Sequence, residues 1–326
     1  MNKDNVRLIK GEDNLDKNTS DIIKGILIIL IVLGHNSILT SSIDGLYSYL
    51  YSFHVIIFFI LPWFYVQSRP TITKSVNRCK KLYLYYLIFF ILQIILYNLL
   101  IDNNFSLCNS VHAFILGGHH ALKDVTGYMY LWFLPAFCFS MLLYDLYNGI
   151  PQHLRIIPNV LAFVVVCLFT QLTYQNYNAF VQAVYFASVG ITSVGIYNIM
   201  HLYMNRTVSV VAFILLSILV CTDVTSVYVL PFMPFVAFFA IWDIAKFLST
   251  SKNNIIGGVG KMSLMIYLIH PLVYQALLRV IPNMTNQIVY GVIILILTLG
   301  LTVFSSYVIE KIIVQTLIKK LSSSRQ

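Results

Sequence analysis

Charged residues are scarce in this chain. Only 10% of its 326 residues are charged and 59% are apolar, whereas about 25% of the residues in an average soluble domain are charged. The mean hydropathy is +0.80. This balance excludes an ordinary soluble globular domain. It predicts an all-α, polytopic integral membrane protein.

Cysteine is scarce as well, with five residues scattered mostly within apolar segments. That spacing predicts neither a disulfide framework nor a metal motif. No A-x-A cleavage site follows the first apolar run, so we expect that run to be a retained helix and not a signal peptide. The formal charge of +9 would suit nucleic acid, but the basic residues fall between hydrophobic runs. We therefore expect membrane lipid as the partner, and no nucleic acid.

About ten apolar runs are long enough to be candidate membrane spans. They lie roughly at 22–39, 46–66, 82–101, 128–147, 157–173, 179–204, 208–222, 226–248, 263–282 and 287–310. Placing the N-terminus in the cytoplasm leaves only Lys123 and Arg279, among the 21 basic residues, in outward loops. The positive-inside rule then puts both termini in the cytoplasm. We expect a cytoplasmic segment at 1–21, a transmembrane domain at 22–310 and a basic cytoplasmic tail at 311–326.

The first span reads DIIKGILIILIVLGH from Asp21 to His35 and contains the most informative pattern. Ionisable groups inside a membrane helix cost about 2.5–3.5 kcal/mol on insertion scales, so they indicate function by default. Asp21, Lys24 and His35 are spaced close to whole helical turns and therefore share one face. His35 should lie roughly two thirds of the way across the membrane, with His54 at a similar depth and His270 near the middle. The alternative for His35 is a hydrogen-bonded histidine that holds two helices together.

Five segments in order, DIIKGILIILIVLGH, SFHVIIFF, LWFL, GKMSLMIYLIHP and YVIEK, resemble the membrane acyltransferase family 3 over essentially the whole chain. The resemblance implies transfer of an acyl group, usually acetyl, from cytosolic acyl-CoA to a hydroxyl of a cell-surface glycan or its polyprenyl-linked precursor. It also implies a bacterial cytoplasmic membrane. Two departures are evident. Lys24 stands where the family typically has arginine, and Leu61-Pro62-Trp63 replaces a Ser-Gly pair that often follows the phenylalanines.

Histidine is the natural general base near neutral pH, so we expect His35 to deprotonate the acceptor hydroxyl for direct attack on the thioester. An acyl-enzyme route remains open, although no serine or cysteine stands in an evident nucleophile motif. The remaining site predictions are His54 and His270 as catalytic residues; Lys24, Asp21, Arg78 and Lys81 as acyl-CoA ligands; and Trp132 and Glu310 as acceptor ligands. The expected co-substrate is acyl-CoA, with no metal.

Each of these predictions has a structural alternative. Lys24 would otherwise be a positive-inside flank that snorkels to the headgroups, and Asp21 would pair with Lys24 or cap the helix. Arg78 and Lys81 belong to a basic cluster that topology alone explains. Trp132 would otherwise be an interfacial aromatic and Glu310 an exposed helix terminus. The adjacent pair His119-His120, with Gly117-Gly118, could contact acceptor or metal, but the simpler interpretation is exposed loop histidines.

Two other functional classes are compatible with a polytopic chain. A transporter or flippase of polyprenyl-linked sugars also needs about ten helices and buried charge, but the chain shows no matched pair of discontinuous helices in two halves. A membrane sensor or scaffold would not need histidines at matched depth on several helices. For the enzyme, polysaccharide-synthesis machinery is an expected partner.

Overall fold

A computed structural model describes residues 15–64, 72–100, 106–169, 178–200, 206–221, 230–251 and 254–311. Within these ranges the chain is helical and contains no β-strand. Most of the predicted cytoplasmic segment at 1–21 and nearly all of the predicted tail at 311–326 lie outside the described residues. The α-helices are α1 Lys17–Gly34, α2 Ser37–Ser42, α3 Leu46–Tyr51, α4 His54–Ile60, α5 Ile72–Leu100, α6 Leu107–Leu116, α7 His119–Thr126, α8 Phe133–Gly149, α9 Ile156–Phe169, α10 Ala179–Met200, α11 Arg206–Cys221, α12 Met233–Leu248, α13 Ile255–Lys261, α14 Ser263–Val280 and α15 Gln287–Ile309.

Six helical segments of the described chain are long and apolar enough to cross a membrane. They are Leu46–Phe64, Ser75–Leu99, Tyr130–Gly149, Ala179–Ile199, Ser263–Val280 and Gln287–Ile309. Leu107–Leu116, Ile156–Phe169 and Thr207–Val220 are apolar but shorter. Helix α1 is long enough, yet it carries three charges. An all-helical membrane protein is confirmed, whereas ten spans and two cytoplasmic termini stay predictions.

The chain divides into two compact units. The first comprises Met1–Leu15, Phe58–Val208 and Thr225–Phe235, and the second comprises Asp16–Ile57, Ser209–Val224 and Val236–Gln326. The first unit has an aromatic core in which Phe59 stacks on Phe186 with ring centroids 3.9 Å apart. A methyl group on Gly190, in α10, would overlap the indole of Trp63. Only glycine therefore allows α10 to pack this closely against that ring.

The second unit is built on a backbone-to-backbone contact between α1 and α13. A methyl group on Gly260 would overlap the carbonyl oxygen of Asp21, and one on Gly25 would overlap the carbonyl of Ile256. Small residues at such positions let two helices approach closely, a common solution in membranes. The glycine-rich sequence of α13, which looks like a loop on its own, is therefore the surface that positions α1.

Helix α1 begins five residues earlier and ends five residues earlier than the predicted span 22–39. Asp16 is the N-cap and accepts a hydrogen bond from the Thr19 amide at 2.9 Å, so of the two structural alternatives for Asp21 the cap is excluded. The helix ends at Gly34 because the Asn36 side chain accepts from the Leu39 amide at 3.1 Å and starts α2. Asn36 also donates to the Gly291 carbonyl on α15 at 2.8 Å. This break places His35 at the end of α1.

Candidate active site

Three histidines that lie far apart in sequence meet in the second unit. The ring of His35 lies 5.0 Å from that of His270, measured between centroids, in an edge-to-face arrangement. On the other side, Tyr51 lies 6.1 Å from His35 and 4.8 Å from His54. His54 and His270 are fully buried, whereas His35 stays partly exposed. His35 is therefore the member of the cluster that a substrate can reach.

The three imidazoles are held in the same way. Each Nδ1 faces the backbone carbonyl four residues earlier, at 2.8 Å for His35 with Ile31 and 3.1 Å for His270 with Ile266. His54 makes the same contact with Leu50. A carbonyl only accepts hydrogen bonds, so Nδ1 carries the proton and Nε2 of the neutral ring keeps its lone pair. Each ring therefore presents Nε2 as its basic atom.

Glycine and tyrosine complete the wall beside His35. A methyl group on Gly34 would lie 3.3 Å from the Tyr51 ring, which is a tight contact, and 3.5 Å from His54 Nε2, which is ordinary van der Waals contact. The Tyr51 hydroxyl lies 3.4 Å from His35 Nε2. Tyr51 was not among the predicted site residues. The only sequence feature that could have indicated it is its position three residues before His54, about one helical turn away.

Asp21 and Lys24 form the predicted ion pair, with Nζ and Oδ1 2.5 Å apart. The Asp21 side chain is 4% exposed and that of Lys24 is 28% exposed, so the lysine lies at the accessible end of the pair. Lys24 precedes His35 by eleven residues, or about 16 Å along the helix axis. The two residues therefore cannot touch the same atoms, although one elongated ligand can contact both.

Arg78 and Lys81 lie one turn apart on α5, in the first unit. Together they line a cavity of about 280 Å³. Its other lining residues are Pro62, Leu82, Phe137, Met141 and Tyr144. The predicted acyl-CoA ligands thus fall into two groups, with Asp21 and Lys24 in one unit and Arg78 and Lys81 in the other.

Trp132 is buried in the first unit, 7% exposed, and the sequence missed its partner. The ring of His119 stacks on it with centroids 4.6 Å apart, and His119 Nδ1 lies 3.0 Å from the Gln182 amide nitrogen. His119 was expected to be exposed; it is 7% exposed because α7 turns it inward, whereas His120 faces outward. Desolvation by burial, followed by the neighbouring His120, lowers the pKa of His119 to about 3.

Glu310 follows α15 as its C-cap and is exposed. Among the described residues it forms no ion pair, which agrees with the alternative of an exposed helix terminus.

Over the same described ranges, no group of three or more His, Cys, Asp or Glu side chains is arranged to hold a metal ion.

A family model described as an acyltransferase domain matches residues 18–307. The chain belongs to the membrane acyltransferase family 3. The match includes the histidine cluster, the Asp21–Lys24 pair and Trp132, whereas Glu310 lies just beyond it. No curated protein and no solved structure shows significant similarity to the chain. The protein is thus a membrane acyltransferase.

Proposed function

We propose that this acyltransferase moves an acyl group, acetyl above all, from cytosolic acyl-CoA to a hydroxyl of a cell-surface polysaccharide or its lipid-linked precursor. The observation that carries the proposal is the state of His35. Its Nδ1 is bonded to a carbonyl, its Nε2 keeps the lone pair, and the ring is the accessible member of a buried histidine cluster. That is the arrangement of a general base.

The proposed reaction is a direct transfer with His35 as the base. His35 Nε2 takes the proton of the acceptor hydroxyl while the acceptor oxygen attacks the carbonyl carbon of the thioester. The C–O bond forms and an electron pair moves to the carbonyl oxygen. Collapse of this tetrahedral intermediate breaks the C–S bond, and the proton on His35 passes to the departing thiolate. A positioned base of this kind contributes about 10²–10⁴ in rate.

We assign His270 and His54 to positioning the groups around His35. His270 packs edge-on against His35, so it restricts rotation of the base while the anchored Nδ1 restricts its tilt. His54 is held by Leu50 and keeps its Nε2 without a hydrogen-bond partner among the described residues. Because His54 is fully buried, we assign it a positioning role through its edge-on contact with the Tyr51 ring.

The acyl-CoA phosphates require cations, and Lys24 is the first candidate. It is accessible, it lies on the same helix as His35, and the separation of about 16 Å suits a donor whose charged and reacting ends are far apart. Asp21 orients the lysine through their ion pair. Arg78 and Lys81 are a second candidate pair for phosphate, since both line one cavity. Trp132 is assigned to the acceptor on the family resemblance.

The proposed setting is a bacterial cytoplasmic membrane that the chain crosses about ten times, with both termini in the cytoplasm. This orientation rests on the distribution of lysine and arginine between the hydrophobic runs. It gives acyl-CoA access from the cytoplasm. The partners are then a glycan or polyprenyl-linked sugar and the machinery that synthesises the polysaccharide.

Proton NMR of the surface glycan, recorded before and after mild alkali, tests the proposal in cells with and without the gene. We expect an alkali-labile acyl signal that disappears with the gene and returns with the wild-type protein, but not with His35→Ala. The matched control is His120→Ala, which removes an exposed histidine and should restore the signal. Unchanged acylation with an altered amount or length of glycan would refute the enzyme proposal and indicate a transporter.

A further inference from the structure

In the part of the chain that the structure describes, the Tyr51 hydroxyl faces the proposed base. It lies at the end of α3, 3.4 Å from His35 Nε2. The Tyr51 ring is fixed from two sides, because it stacks on Tyr47 at 4.2 Å and meets the His54 ring edge-on at 4.8 Å, between centroids. The position of the hydroxyl is therefore set by packing and not by its contact with His35.

The direction of this hydrogen bond follows from the tautomer. His35 Nδ1 already donates to the Ile31 carbonyl, so Nε2 of the neutral ring accepts and the Tyr51 hydroxyl donates. A separation of 3.4 Å is longer than the usual 2.7–3.2 Å for a strong bond. An acceptor hydroxyl can therefore displace Tyr51 from the lone pair at little cost.

Protonation of His35 reverses this arrangement. Once Nε2 has taken a proton it donates, and the Tyr51 hydroxyl can no longer give its own proton to that atom. At the same moment negative charge develops on the former thioester carbonyl oxygen, bonded to the carbon that the acceptor oxygen has just attacked. Because the acceptor oxygen must lie within hydrogen-bond reach of the same Nε2, Tyr51 and the new oxyanion are neighbours.

We propose that Tyr51 is a catalytic residue whose hydroxyl donates to His35 in the resting enzyme and to the oxyanion of the tetrahedral intermediate during acyl transfer. The hydroxyl changes partner without losing its proton, so the proton balance of the reaction is unchanged. This inference rests on the proposed acyl transfer with His35 as the base.

Two other tyrosine hydroxyls of the second unit bond to serine residues instead. The Tyr274 hydroxyl bonds both the amide and the hydroxyl of Ser37, at 3.0 and 2.8 Å. The Tyr49 hydroxyl, on the same helix as Tyr51, lies 3.0 Å from the Ser217 hydroxyl on α11. Tyr51 alone in this set faces Nε2 of the base, and Tyr49 supplies a matched control.

Tyr51→Phe and Tyr49→Phe each remove one hydroxyl from α3 and keep the aromatic ring. We would assay both in proteoliposomes with radiolabelled acetyl-CoA and the glycan fraction from cells that lack the gene. Loss of one oxyanion donor typically lowers kcat by about 10²–10³. For Tyr51→Phe we expect kcat to fall by about 10² with both KM values within about twofold of wild type, because the donor acts in the intermediate. Tyr49→Phe should keep kcat within about twofold.

A wild-type kcat in Tyr51→Phe, or a raised KM with unchanged kcat, would overturn the proposal. A third variant, His35→Ala with Tyr51→Phe, should be slower than His35→Ala alone, because an oxyanion donor still stabilises the intermediate when the base is absent; equal rates would count against the proposal. Replacing Tyr51 with 3-fluorotyrosine keeps the shape and makes the hydroxyl more acidic. The alkaline limb of the kcat profile should then move to lower pH; an unmoved limb counts against the proposal if the phenylalanine variant does not fold.

The assay distinguishes failure of the proposed acyl transfer from failure of the proposed role of Tyr51. If wild-type protein transfers no label from acetyl-, propionyl- or succinyl-CoA to the glycan fraction, the proposed function itself is wrong. If wild type transfers label and Tyr51→Phe transfers it equally fast, only the role of Tyr51 is wrong.

Discussion

The contact between α1 and α13 makes a sharp prediction about two neighbouring glycines. Gly260 faces α1 so closely that a methyl group would overlap the Asp21 carbonyl oxygen, whereas a methyl group on Gly258 meets no atom within 4 Å. Both residues are inside α13. Replacing either with alanine therefore makes the same chemical change in the same helix.

The expected sizes follow from two opposing effects. Alanine improves on glycine in a helix by about 0.8–1.0 kcal/mol, so Gly258→Ala should raise the free energy of unfolding by up to about 1 kcal/mol. Gly260→Ala gains the same helix propensity, but overpacking costs about 1–3 kcal/mol. The obstructing atoms belong to backbone, which no change of rotamer can move aside, so we expect the upper end of that cost. The two variants should then differ by about 2–3 kcal/mol.

Unfolding in mixed micelles with increasing dodecyl sulfate, followed by tryptophan fluorescence, measures this difference. Acyl transfer gives a second readout. Gly260→Ala should push α1 away, and α1 carries Asp21 and Lys24 and leads directly into His35. Acyl transfer should therefore fall even under conditions in which the variant is still fully folded. Gly258→Ala should keep wild-type activity. Equal unfolding curves for the two variants would refute the backbone contact on which the second unit is built.

Two further predictions concern charge. Lys24→Ala should raise the KM for acyl-CoA and also destabilise the fold, because it leaves Asp21 buried without its partner. Adding Asp21→Asn should restore the stability and leave the KM high. Recovery of both quantities would mean that Lys24 is structural only. The pKa of His119, held at about 3 in the folded state by burial, lies below its ordinary value of 6.5. The stabilisation from the neutral ring is therefore complete above pH 6.5 and is lost as pH falls towards 3, by about 1.4 kcal/mol per pH unit. Measured between pH 6 and pH 4, this dependence should disappear in His119→Phe and persist in His120→Phe; its persistence in both would refute the assignment.

Much of the helical layout was predictable because a membrane leaves few choices. Backbone groups in lipid must bond within their own helix, so an apolar run of sufficient length predicts a helix. The ends of the helices were less predictable. The run 22–39 looks continuous, yet Asn36 starts a new helix by capping the Leu39 amide. The span 46–66 likewise contains α3, α4 and a 3₁₀ turn at Leu61–Phe64.

The Asp21–Lys24 pair was predictable from local spacing, since residues three apart on a helix are neighbours. His35, His54 and His270 were predicted as site residues from their cost in a membrane and the family resemblance, and the structure brings the three rings together. Their catalytic roles stay predictions. Tyr51 was missed because an aromatic residue in an aromatic-rich chain carries no periodic signal of its own. His119 was named with His120 but expected to be exposed, and its burial against Trp132 was not predicted.

The sequence alone determined that the protein lies in a membrane, because its composition is apolar. A chain with so few charges and such long apolar runs has to be helical and has to enter a membrane. It also determined which residues are chemically capable of acyl transfer. Only the tertiary structure decided which of them meet. Gly34 and Gly260 matter through atoms contributed by distant segments, and such contacts depend on helix approach at the scale of a single methyl group, which no pattern along the chain encodes.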